Sequence, residues 1–179
     1  DLGQRYGLGL YAGARGSALV VLRAGNGAAA VRAAVRGAVV CGLGPYDGAL
    51  GMGDLTEAVR TGAMRYLMQI TDVLGRSERE VGLCALLLGY NSSANLSVAA
   101  SVEALVRGVV EANQRFREAT RLDIRIRRLE IVELYQDTAI AAVYALRQLD
   151  ARLGALAARL GTALVVRGEL EQGEGMRRR

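Results

Sequence analysis

One unit recurs along this chain and constrains its fold most: a short apolar run, a polar or glycine-rich loop, then an amphipathic helical pattern. Ala38–Cys41 is continuously apolar and bounded by Gly37 and Gly42, as in a strand buried on both faces. A helix is expected from Asp54, where Asp54-x-x-Glu57 makes an acidic capping box. Leu55, Val59, Leu67, Ile70 and Leu74 then share one face, and Gly75 is the expected stop. Leu83–Leu88 reads as a second buried strand, followed by the polar loop Gly89–Leu96 and a helix capped by Ser97. Val98, Val102, Leu105, Val109, Ala112 and Phe116 form the apolar face of that helix. Leu129–Val132 begins a third unit, with Asp137 capping a helix to about Ala158. Such repetition predicts right-handed crossovers onto one sheet. The expected fold class is α/β, with three layers: a mainly parallel (mixed) sheet and helices on both faces.

The flanks are less regular. Leu8–Tyr11 and Ala18–Leu22 read as short strands, with turns at Gly13–Gly16 and Gly25–Gly27. Thr162–Arg167 is an expected edge strand. No internal linker is visible, so residues 1–170 are expected to form a single α/β domain, with 171–179 a polar, Arg-rich tail. The chain starts without Met, which suggests a piece of a larger protein. It also starts without the basic and apolar segments of a signal peptide.

Composition narrows the chemistry. Aromatics make up 4% of residues against 51% apolar overall, so the core must be built from Ala, Leu, Val and Ile. Apolar runs fall far short of the roughly 18 residues of a membrane span. The chain has no His and no Lys; all 23 basic residues are Arg. Ser-His-Asp and Cys-His catalysis, imidazole metal sites, a Walker lysine and a Schiff base are therefore excluded. Cys41 and Cys84 are too few for a structural zinc site, which needs about four ligands. Buried free thiols in a reducing cytoplasm are the expectation. The net charge of +5 invites nucleic acid, but the arginines are interleaved with Asp and Glu, and few aromatics exist to stack on bases. Only Arg125–Arg128 and Arg177–Arg179 cluster, and Arg125 and Arg127 alternate with Ile124 and Ile126 as on a strand with one solvated face.

Ligands of open α/β sheets bind beyond the carboxyl ends of the strands, and two loops qualify. In Gly42-Leu-Gly44-Pro-Tyr-Asp-Gly48, continuing to Gly51 and Gly53, backbone N–H groups can approach an anion at a helix start. Asp54 at that helix end competes with phosphate. In the second loop, Gly89, Asn91, Ser92, Ser93, Asn95 and Ser97 sit between a buried strand and a helix start. They can bind phosphate, ribose or a peptide backbone, or serve local turn and cap hydrogen bonds. Glu130, Glu133 and Asp137 surround the third strand's end as candidate acid/base groups or ligands of a hard cation. No nucleophile has a His or Lys to activate it.

Three blocks carry a family resemblance: Gly37-Ala-Val-Val-Cys-Gly-Leu-Gly44 leading to Asp54-Leu-Thr-Glu-Ala-Val-Arg60; Val81–Gly89 leading to Leu96-Ser-Val98 and Arg107–Asn113; and Leu129–Tyr135 before Thr138-Ala-Ile140. Over residues 7–148 the chain resembles an accessory domain found beside caspase-like (CHAT-type) peptidase modules in large bacterial proteins. Its first block and layout are also similar to the macro-like N-terminal domain of leucyl aminopeptidases. The resemblance implies a macro-like fold and a non-catalytic accessory, regulatory or protein-interaction role in a peptidase-type conflict or signalling protein. It implies no cofactor and no transferable catalytic residue, and its partners would be peptidase or other domains of the same or a neighbouring chain. The alternative it implies is a sensor binding a nucleotide or ADP-ribose-like ligand at Gly42–Gly48 and Gly89–Ser97. Asn and Ser stand in the second loop where macro domains prefer Gly. A carboxylate-dependent hydrolase is the weaker alternative. An opening strand expected before Tyr6 has no counterpart in the sequence.

Overall fold

The computed structural model describes residues 2–22, 37–45, 48–74, 80–90, 95–159 and 165. Along the chain run α1 (Leu2–Gly7), β1 (Ala18–Leu22), β2 (Gly37–Cys41), α2 (Met52–Leu74), β3 (Glu80–Ala85), α3 (Val98–Thr120), β4 (Arg125–Ile131) and α4 (Gln136–Arg159). The fold is mixed α/β. In place of one continuous sheet, the described residues form two ladders: β1 antiparallel to β2, and β3 parallel to β4.

The middle of the molecule is a helix. α2 packs on β1 and β2 on one side and on α3 on the other, while α3 also meets β4 and α4. The expected face Val102, Leu105, Val109, Ala112 and Phe116 is buried, but so are Ser101, Ala104, Val106, Gly108 and Val110. The first half of α3 is thus enclosed nearly all round, as its small and apolar residues on every face permit. A Cβ at Gly108 would stand 2.6 Å from Val59 Cγ1 and 3.0 Å from the Thr56 carbonyl oxygen. Gly108 therefore sets how closely α2 and α3 approach. Gly62 does the same for α2 on β2, where a Cβ would meet Cys41 Sγ at 2.6 Å. The charged member of this buried stretch, Glu103, is paired with Arg107 at 2.9 Å and with Arg152 of α4 at 3.8 Å, as burial of a charge requires.

The second ladder contains a bulge. Val81 pairs with Ile126 and Gly82 with Arg128, so Arg127 is an extra residue on β4. Beside the bulge, the Asn113 side chain of α3 takes both backbone groups of Ile126. Asn113 Nδ2 donates to the Ile126 carbonyl at 2.9 Å, and Ile126 N–H donates to Asn113 Oδ1 at 2.8 Å. One carboxamide thereby acts as a short neighbouring strand and fixes β4 to α3.

Helix ends follow local chemistry, with differences from expectation. α2 begins at Met52, so Asp54 is not its first cap. Asp54 sits three residues past Gly51 and accepts the Gly51 N–H at 2.8 Å, the reaching-back half of a capping box. Ser97 caps α3 as expected, accepting from Ala100 N–H at 3.1 Å, and Arg121 ends it in the left-handed region at φ 58°. α4 starts at Gln136, which puts Asp137 in its first turn. Leu8–Tyr11 is not a strand. It is the end of α1: Leu10 N–H reaches the Arg5 carbonyl at 2.8 Å and Gly9 N–H that of Tyr6 at 3.0 Å, with Gly9 at φ +67°, a Schellman motif.

β3 is also corrected. It spans Glu80–Ala85 rather than Leu83–Leu88, and its side chains alternate between exposed and half-buried. α3 covers one face of the β3–β4 ladder, and no described helix packs broadly on the other. Cys84 is accordingly exposed and Cys41 half-buried, against the expectation that both thiols are buried. The expected turn at Gly25–Gly27, the stop at Gly75 and, apart from Val165, the edge strand Thr162–Arg167 lie outside the described residues. No described helix is long and apolar enough to cross a membrane.

Candidate functional site

The first glycine loop folds back on the turn before β1. Gly42, which is buried, donates its N–H to the Ser17 carbonyl at 2.8 Å, and Gly44, at φ +88°, donates to that of Gly13 at 2.9 Å. Gly48 N–H reaches the Pro45 carbonyl at 3.0 Å. A side chain at Gly42 would run into the Ala14 carbonyl oxygen and the Ser17 hydroxyl. Arg15 closes the assembly by donating to the Ala49 carbonyl and pairing with Asp54 at 3.6 Å. The N–H groups of Gly42, Gly44, Gly48 and Gly51 that would cradle an anion thus all have internal acceptors, and Asp54 brings a negative charge to the start of α2.

The second loop lies beside the first. Gly89 is buried at φ +74°, and a Cβ there would meet Leu96 Cδ1 at 2.7 Å and Leu50 Cδ2 at 3.4 Å. Its carbonyl accepts from Leu96 N–H at 3.2 Å, and Ser101 Oγ donates to the Leu88 carbonyl at 2.7 Å. Asn95 is exposed in the left-handed region at φ 46°. The Ser97 hydroxyl is engaged as the cap of α3. Asn91, Ser92 and Ser93 lie outside the described residues. Leu50 therefore brings the two predicted loops together at the carboxyl ends of β2 and β3.

The three carboxylates near the end of β4 do not converge. Glu130 pairs with Arg128 and accepts from Cys84 Sγ–H at 3.2 Å. That hydrogen bond and the nearby guanidinium hold Glu130 below the usual carboxylate range. Partial desolvation and the same carboxylate push the Cys84 thiol up, away from the reactive thiolate. Burial likewise raises Cys41. Glu133 accepts the N–H groups of Leu134 at 2.7 Å and Tyr135 at 3.3 Å, while Asp137 accepts from the Thr138 hydroxyl at 3.5 Å. No group of three or more metal-ligating side chains occurs among the described residues.

What sequence reasoning missed is apolar. Val132 N–H donates to the Ala85 carbonyl at 2.9 Å, which sets the residues just past β3 and β4 side by side. There Leu86 is 59% exposed, Leu134 84% and Tyr135 62%, with Val132 also exposed. Ile140 and Tyr144 are exposed on α4, opposite its buried line of Thr138, Ala142, Ala145 and Leu149. The available signal was Val132-x-Leu134-Tyr135: apolar residues in a connection between strand and helix, where polar ones are the rule. Alternating burial would place them outside the core.

Comparison with family models, with curated proteins and with solved structures finds no match to this chain.

Proposed function

We propose that the chain is a non-catalytic accessory domain that docks a protein partner at the carboxyl ends of β3 and β4. The partner is a caspase-like peptidase module, or another domain of the same or a neighbouring chain in a bacterial conflict or signalling protein. The observation that carries this reading is the exposed set Leu86, Val132, Leu134 and Tyr135. Large exposed aliphatic and aromatic side chains gathered at one end of a ladder are what an interface core uses. A macro-like, three-layer architecture belongs to the same reading, supported by the strand–helix–parallel strand unit β3–α3–β4. The test is a titration of a caspase-like peptidase module, the proposed partner, with the wild type and with Leu134→Glu. Binding lost in the variant supports docking at this end; binding unchanged overturns it.

A second reading, a sensor for a nucleotide or ADP-ribose-like ligand, rests on the contact of Leu50 with Gly89 that sets the two loops side by side. Against it stand the internal acceptors of the Gly42, Gly44, Gly48 and Gly51 N–H groups. A thermal shift with ADP-ribose that is abolished by changing Asn91 and Ser93 would replace the docking reading. No shift with any nucleotide would remove the sensor.

A further inference from the structure

One side of α4 has no neighbour, and its residues fall into a regular seam. Among the described elements α4 packs broadly on α3 alone, and it buries Thr138, Ala142, Ala145 and Leu149. Across the helix from that line lie Asp137, Ile140, Tyr144 and Arg147, all exposed, Tyr144 by 62% and Ile140 by 38%. Steps of three, four and three keep these four on one stripe, as the a and d positions of a heptad do. Ile and Tyr presented to solvent on consecutive turns are side chains that an interface core uses. The stripe is closed by a carboxylate at its start and a guanidinium ten residues later, about 15 Å along the axis.

The order of the charges decides which occupant fits. We propose that α4 pairs antiparallel with α4 of a second copy of the chain, making a homodimer through Asp137, Ile140, Tyr144 and Arg147. In an antiparallel helix pair each a position meets a d position of the other helix. A two-fold axis at the level of Ala142 sets Ile140 against Tyr144 of the second copy and Asp137 against its Arg147, and each layer occurs twice. The seam is thus apolar in its two inner layers and closed by an Asp–Arg pair at both ends. A parallel pair would oppose Asp137 to Asp137 and Arg147 to Arg147, so the charges select the antiparallel arrangement. The Arg147 guanidinium has five N–H donors, so it can take the carboxylate in addition to the interaction it already makes. Three turns of helix cover less than the roughly 800 Å² per partner of a standard interface, so the dimer is a reversible one that forms at high concentration. The seam uses none of the side chains proposed to dock a peptidase module.

Sedimentation velocity of the full chain, over a concentration series up to about 1 mM, tests this. The wild type is expected to shift from monomer to dimer as concentration rises, and Leu134→Glu to do the same. Tyr144→Glu is expected to weaken the dimer roughly tenfold or more, with an unchanged circular dichroism spectrum. Asp137→Arg and Arg147→Asp each put like charges in both outer layers and are expected to weaken it similarly. An equimolar mixture of these two variants is expected to recover a heterodimer, because every outer layer then opposes Arg to Asp. If Asp137→Arg does not fold, Tyr144→Glu and Arg147→Asp decide the question. A wild type that stays monomeric throughout overturns the proposal, including one whose Tyr144→Glu form loses binding to a peptidase module, which would assign the seam to that partner. So does a dimer indifferent to the charge variants, a mixture of folded charge variants that stays monomeric, or a dimer lost in Leu134→Glu but kept in Tyr144→Glu.

Discussion

Asn113 offers the sharpest test of how this fold is held. Replacing it by Ala removes two hydrogen bonds of 2.9 and 2.8 Å and leaves the N–H and C=O of Ile126 without their Asn113 partners. The Ile126 residue is only 5% exposed. Each orphaned group costs about 1–3 kcal/mol, so a total near 2–5 kcal/mol is expected, less whatever water recovers through the space left by the half-buried Asn113 side chain. For a chain of this size that lowers Tm by about 4–20 °C, at roughly 2–4 °C per kcal/mol. Urea unfolding at pH 7 measures the loss directly. A destabilisation below about 0.5 kcal/mol would refute the view that one carboxamide holds β4 on α3. Asn113→Asp separates the two bonds. Its carboxylate still accepts from Ile126 N–H, but it sets an oxygen against the Ile126 carbonyl where an N–H had donated. Protonation restores a donor, so the folded state raises this carboxyl's pKa above its unfolded value. The deficit relative to the wild type is therefore full above the folded pKa and shrinks as pH falls through it.

Other positions give compact tests. Gly108→Ala gains about 1 kcal/mol of helix propensity, yet net destabilisation of about 1–3 kcal/mol is expected from the clash with Val59; Val59→Ala in the same chain should recover part of it in urea melts, and additive losses would contradict the crossing geometry. Ser97→Ala should cost about 1 kcal/mol through loss of the α3 cap, and an unchanged midpoint would contradict that role. Glu130→Gln removes the charge that helps raise the Cys84 thiol, so alkylation of Cys84 by iodoacetamide at pH 8 should quicken; an unchanged rate would contradict the Cys84–Glu130 contact. Glu130 itself, with a folded pKa below its unfolded value, contributes stability present above the unfolded pKa and lost as pH falls through the folded one.

Helix faces were the most legible part of this sequence. Leu55, Val59, Leu67 and Ile70, and Val102, Leu105, Val109, Ala112 and Phe116, are buried as their spacing predicts, because a long period-3.6 pattern has few competing explanations. The Ser97 cap was legible for the same local reason. Short apolar runs were not. Leu8–Tyr11 is four residues long, too short to distinguish a strand from a helix end closed by Gly9. Leu83–Leu88 has no polar alternation, so nothing in it shows that one face of β3 is left uncovered. The engagement of the Gly42 and Gly44 N–H groups depends on Gly13 and Ser17, more than twenty residues away in the chain. The pairing of Asn113 with Ile126 joins a helix to a strand residue 13 positions on, which leaves no mark in apolar periodicity.

The docking surface proposed at the ends of β3 and β4 is tested most directly by one calorimetric titration. A caspase-like peptidase module, the proposed partner, is titrated into the wild type and into Leu134→Glu. The wild type is expected to bind, while Leu134→Glu loses binding by a factor of ten or more, about 1.4 kcal/mol. Equal binding by Leu134→Glu, or a wild type that ignores the module yet is stabilised by ADP-ribose, would contradict it.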